Sequence, residues 1–143
     1  MFRDIYEKIN LYIYWIAPAL VVSGYLILLY NNLFDLQTIH NYNAHKFDFV
    51  VNLLGTLLTV YGFMTMLPEN KFRALLRHYG HDDILNNTIF IGTLSALVFS
   101  ILFMLGVENS FQDILFLVVI VETTLATIKI FNILRFSAKS TKQ

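Results

Sequence analysis

The chain has no cysteine, which excludes disulfides, thiolate nucleophiles and cysteine-ligated metal. It is also poor in charge. Asp, Glu, Lys and Arg make up 14% of 143 residues, where a soluble domain carries about 25%. Net charge is zero, so the whole chain has no footprint for direct nucleic-acid binding. There is no glycine-rich phosphate loop, no Ser-His-Asp spacing and no pair of carboxylates within one apolar segment. Ser23, Ser95 and Ser100 fall in apolar runs without a base on the same helix. These absences argue against an enzyme and against a bound cofactor. No internal repeat or low-complexity segment occurs.

What the chain has instead is long apolar runs. Apolar residues are 57% of the sequence, and 13 Phe and 8 Tyr suit lipid contact and headgroup belts. Four runs each reach the roughly 20 residues that a membrane-crossing helix needs. They lie at about 11–30, 49–67, 86–106 and 114–135. None has the polar face of a helix in a soluble bundle. The expected fold is all-α: one integral membrane domain, 1–143, built as an oligomeric bundle of four transmembrane helices. The first run is too long for a cleavable signal and no small-x-small site follows it. Pro18 is expected to kink the first helix or to end a short turn near Trp15.

Lys and Arg set the orientation. Arg3, Lys8, Lys71, Arg73, Arg77, Arg135, Lys139 and Lys142 fall on one side of the membrane, and Lys46 alone on the other. The positive-inside rule then predicts both termini and the 68–86 loop in the cytoplasm. Within 68–86, Phe72, Leu75 and Leu76 share one helix face and Lys71, Arg73 and Arg77 spread over the other, with Gly80 as the stop. Lys71, Arg73, Arg77 and His78 are candidates for contact with a cytoplasmic partner or anionic lipid. His78-x-x-His81 beside Asp82 and Asp83 has metal-like spacing, but Gly80 interrupts the helix and no third ligand is fixed. A solvated loop is the expectation, with no metal.

Glu122 is the main functional candidate. It lies midway along the fourth run, where a charge costs roughly 3 kcal/mol on insertion scales. Lys129 follows seven positions later on the same helix face, about 10 Å further along the axis. One reading places Glu122 in an acidic ring shared by several copies, with four as the working number and Lys129 opposing it near the inner mouth. The other makes it polar glue, protonated or bonded to a neighbouring helix. Asn52, Thr56 and Thr59 stack on one face of the second run. They suit a narrow aqueous path, though such groups more often bond between helices. Gly92, Ala96 and Ser100 form a small-residue ladder for close helix packing.

Two stretches carry a resemblance. Arg73-Ala74-Leu75-Leu76-Arg77-His78-Tyr79-Gly80 and Phe131-Asn132-Ile133-Leu134-Arg135 resemble parts of the small four-span phage-exclusion proteins of the RexB type. The length and the placement of four spans are similar too. The design also resembles the membrane effectors of anti-phage systems such as Hailong, where a soluble nucleotidyltransferase restrains a small oligomeric channel. The resemblance implies an abortive-infection effector that forms an ion channel and depolarises the inner membrane, with a cytoplasmic sensor as partner. RexB-type proteins carry their intramembrane acid in the third span and this chain carries Glu122 in the fourth. A pore role for Glu122 therefore rests on its physics. The alternative is a non-conducting membrane protein: an anchor, an immunity protein or an assembly subunit for a cytoplasmic partner.

Overall fold

The computed structural model describes residues 12–66, 77, 80–107 and 109–140, with side chains up to 135. Four helices make up nearly all of it: α1 (Ile13–Tyr30), α2 (Tyr42–Met66), α3 (His81–Met104) and α4 (Ser110–Ser140). A short 3-10 turn, Leu36–Thr38, lies between α1 and α2. All four helices are long and apolar enough to cross a membrane. The all-helical, four-span reading stands.

The helices outrun the apolar runs that announce them. α2 begins at Tyr42 and takes in Lys46 and Asp48, so the loop expected at 31–48 is only 31–41. α4 runs on to Ser140. Backbone hydrogen bonds continue a helix past the point where its side chains turn polar, because nothing in those residues stops it. Pro18 does not end α1; it lies in the second turn of a continuous helix and is buried.

The stops are chemical. α3 ends with Gly106 in the left-handed region (φ 69°). There the Gly106 N–H donates to Phe103 O and the Val107 N–H to Leu102 O, the paired closure of a Schellman motif. α1 closes the same way with an asparagine: Asn32 (φ 53°) donates to Leu29 O, and Leu33 to Leu28 O. Asn109 opens α4 by accepting the Gln112 N–H on Oδ1 at 3.1 Å.

Short connections make the bundle run up and down. The end carrying 31–41 and 105–109 is termed the upper end, and the end carrying His81 the lower. α4 packs against the other three helices, and α1 lies mainly on α4. Only Pro18 and Tyr25 of α1 are buried, so most of this helix is left for lipid. The interior divides into two apolar clusters. The upper one joins Tyr25, Leu36, Tyr42, Val50, Ala96, Phe99, Phe116 and Val119. The lower one joins Leu57, Val60, Met64, Leu85, Ile89, Ala126, Ile130 and Ile133.

Candidate functional site

Glu122 lies in the seam between these clusters. On α4 the upper cluster stops at Val119 and the lower resumes at Ala126; on α3 they part between Ala96 and Ile89, with Gly92 in the gap. Glu122 is 0% exposed. The missing side chain of Gly92 makes the room. A Cβ built there would meet Glu122 Cβ at 3.0 Å and Leu57 Cδ1 at 2.8 Å. Leu57, Gly92 and Glu122 thus bring three helices together at this point, and neither carboxyl oxygen has a hydrogen-bond partner among the described residues. Burying a polar group unbonded is costly, and burying a charge unpaired far more so.

This placement bears on both sequence readings. A ring needs Glu122 on the outside of its subunit, where copies could share it; the chain instead encloses it. The glue reading covers a protonated acid as well as one bonded to a neighbouring helix; among the described residues the carboxyl has no hydrogen-bond partner. Lys129 is half-buried lower on α4 and is an electrostatic neighbour of His81.

The second-span candidates point elsewhere. Asn52, Thr56 and Thr59 are exposed on the outside of α2, so within one subunit they do not share a path with Glu122. The two threonines hydrogen-bond to their own helix: Thr56 Oγ1 to Asn52 O at 3.1 Å and Thr59 Oγ1 to Gly55 O at 2.8 Å. Of the small-residue ladder, Gly92 and Ala96 face the interior. Ser100 is part-buried and donates to Ala96 O at 2.8 Å. Lys71, Arg73 and His78 lie outside the described residues. Arg77 is exposed, with Nε 4.0 Å from Asp82 Oδ2.

The structure adds a polar layer that the sequence reading missed. At the upper end, Tyr42 Oη donates to Asp113 Oδ1 at 2.8 Å and Gln37 Nε2 to Asp113 Oδ2 at 3.2 Å. Beside them Lys46 Nζ donates to Gln112 Oε1 at 2.7 Å. The Lys46 ammonium also lies 5.4 Å from the centre of the Tyr42 ring and 5.9 Å from that of Phe103, within reach of cation–π attraction. Lys46, Gln112 and Asp113 are all under 4% exposed. Lys46, which the sequence placed beyond the end of the second run, is thus a buried residue of α2. The available signal was Tyr42-Lys46-Val50, spaced four apart on one face, opposite the adjacent Gln112-Asp113 pair that opens α4. Tyr42→Phe is expected to destabilise the protein by about 1–3 kcal/mol, because it strips a donor from a buried carboxylate. Thermal unfolding in detergent should show a lower Tm for this variant.

Fold and site together define a multi-pass α-helical membrane protein with an enclosed acid at mid-span. Comparison with protein-family models, with curated proteins and with solved structures gives no match to this chain.

Proposed function

We propose that the chain is an anti-phage effector of the bacterial inner membrane, of the abortive-infection type, which depolarises that membrane by conducting ions by way of Glu122. Both termini are cytoplasmic in this reading. One observation carries it: a fully buried acid at mid-span, with neither oxygen bonded among the described residues. A group so placed lowers stability and forms no structural bond in return, and intramembrane acids of this kind belong to ion and proton pathways. The resemblance to phage-exclusion proteins supplies the biological setting. The route differs from the ring first expected, since Glu122 acts from inside each subunit.

Assembly into a homo-oligomer, four copies in the working form, is part of the proposal. The outward Asn52, Gly55, Thr56 and Thr59 of α2 supply the small and polar surface that membrane helices use to associate. Asn52→Leu is expected to reduce the cross-linked oligomer without lowering the amount of folded chain. The basic segment around Lys71, Arg73, Arg77 and His78 docks a cytoplasmic sensor, such as a nucleotidyltransferase, or anionic lipid.

The tight closure of Gly92 on Leu57 and Glu122 favours a second reading, a non-conducting anchor or immunity protein. A potential-sensitive dye in cells expressing the chain separates the two. Depolarisation by the wild type, lost in Glu122→Gln, supports the effector. An unchanged potential in wild-type cells, both uninfected and phage-challenged, supports the anchor.

A further inference from the structure

We infer that the ion handled by Glu122 is a proton, exchanged with the lower end of the bundle along the α3 face that carries Thr88 and His81. The inference rests on the conducting function proposed above and names its substrate.

The surroundings of Glu122 decide between ion classes. A metal cation crossing a membrane protein must exchange its hydration shell for several oxygen ligands, as rings of carbonyls provide in potassium channels. Glu122 offers one carboxyl group against Leu57 and Gly92. Among the described residues no group of three His, Asp or Glu side chains is placed to hold a metal. A proton needs one oxygen. The neutral acid also removes the charge that makes this position expensive. The step balances simply: an O–H bond forms when the proton arrives and breaks when it leaves, and no other group is exchanged.

Both halves of the bundle are apolar inside. Leu57, Leu85, Ile89 and Ala126 pack below Glu122. Val50, Phe99, Phe116 and Val119 form an apolar seal above it, with the Phe99 and Phe116 ring centroids 6.3 Å apart. The halves differ in where a buried hydroxyl lies: Tyr25 Oη is in the upper layer near Asp35 and Asp113, well above Glu122. Below it, Thr88 lies one turn from Gly92 on the same face of α3 and is fully buried. Other span threonines, such as Thr59, Thr123 and Thr127, donate to their own helix backbone. Among the described residues Thr88 Oγ1 has no hydrogen-bond partner, so its hydroxyl is able to accept and donate. His81 follows two turns lower on that face, half-buried, with Lys129 and Asp82 as electrostatic neighbours. Lys46 and Asp113 lie in the upper layer, about 14 Å or more from Glu122 by helix rise.

The test is flux through the full chain purified into liposomes, as wild type and as Phe116→Ala, which loosens the seal. Proton entry is read with an internal pH dye, and Na+ and K+ entry with ion-selective dyes. Proton flux without matching Na+ or K+ flux is expected. It should fall to the empty-liposome level in Glu122→Gln and several-fold in Thr88→Val, and persist in Thr88→Ser. Na+ or K+ carried as readily as protons would overturn the proton assignment and leave the conducting function standing. Thr88→Val at the wild-type rate would overturn the route. No flux of any ion from either protein would overturn both the inference and the function beneath it.

Discussion

Gly92→Leu is expected to remove nearly all folded protein from the membrane, and Gly24→Leu to leave its amount unchanged. Both glycines lie inside apolar helices, and their surroundings separate them. At Gly92 a single added carbon meets Leu57 Cδ1 at 2.8 Å and Glu122 Cβ at 3.0 Å; at Gly24 nothing lies within 4 Å. The Leu57 terminus can swing aside. Glu122 Cβ cannot, because it is fixed to the α4 backbone, so α3 and α4 must separate. Overpacking a filled interior costs about 1–3 kcal/mol for small additions, and a whole leucine side chain here forces the two most closely packed helices apart. Gly92→Ala should fall between, and shortening Leu57 in the same chain should recover part of its loss. A measured coupling between positions 57 and 92 would confirm the contact. The readout is the yield and Tm of detergent-extracted protein.

Glu122→Gln is expected to show the opposite profile: little change in fold and, on the proposed conducting function, complete loss of ion movement. Glutamine matches glutamate in shape, so it fits against Gly92 and Leu57. The native carboxyl makes no hydrogen bond among the described residues, so the exchange breaks none there. An amide does not take up and release a proton at physiological pH, and the carboxyl's exchange chemistry is lost with it. Depolarisation should drop to the level of cells without the protein, at equal membrane abundance. Glu122→Asp retracts the acid by one carbon and should keep partial activity. If Glu122 were a packing element only, Gln and Asp would differ in stability and not in conduction.

The contrast between these two positions marks what the sequence disclosed. Four helices were legible because each apolar run exceeds the length that lipid demands, and no soluble fold would tolerate them together. Glu122 was legible as an exception inside such a run. Which way it faces was not. A soluble helix betrays its inner face by apolar periodicity, but a membrane helix is apolar all round. Along α4 the buried positions Gln112, Phe116, Val119, Glu122, Ala126, Ile130 and Ile133 form a stripe, while equally apolar Phe111, Ile128, Phe131 and Leu134 face outward. Size does not mark the inner face either: Gly92, Ala96 and Ala126 are small and lie inward, but Gly24 and Gly55 are small and lie outward. Asn52, Thr56 and Thr59 are polar and lie outward, so polarity alone does not fix direction.

Lys46 teaches the complementary point. As a lone cation near the end of a span it read as a loop residue on the outer side. Within α2 its stem runs inward to the carboxamide of Gln112, under the rings of Tyr42 and Phe103. A long side chain at a helix end reaches either way, and here the acceptor on α4 decides. Asp113 is held nearby by Tyr42 and Gln37, so the upper layer joins α2, α4 and the 3-10 turn through polar contacts that no single segment reveals.

The proposed conduction depends on where the Glu122 side chain lies in the proposed oligomer. The most direct measurement is a density map of the assembled protein in lipid nanodiscs, resolved at the level of side chains. Enclosure predicts that each Glu122 stays within its own subunit, opposite Gly92, with α2, α3 and α4 around it. Glu122 side chains from several subunits meeting on a symmetry axis would contradict it.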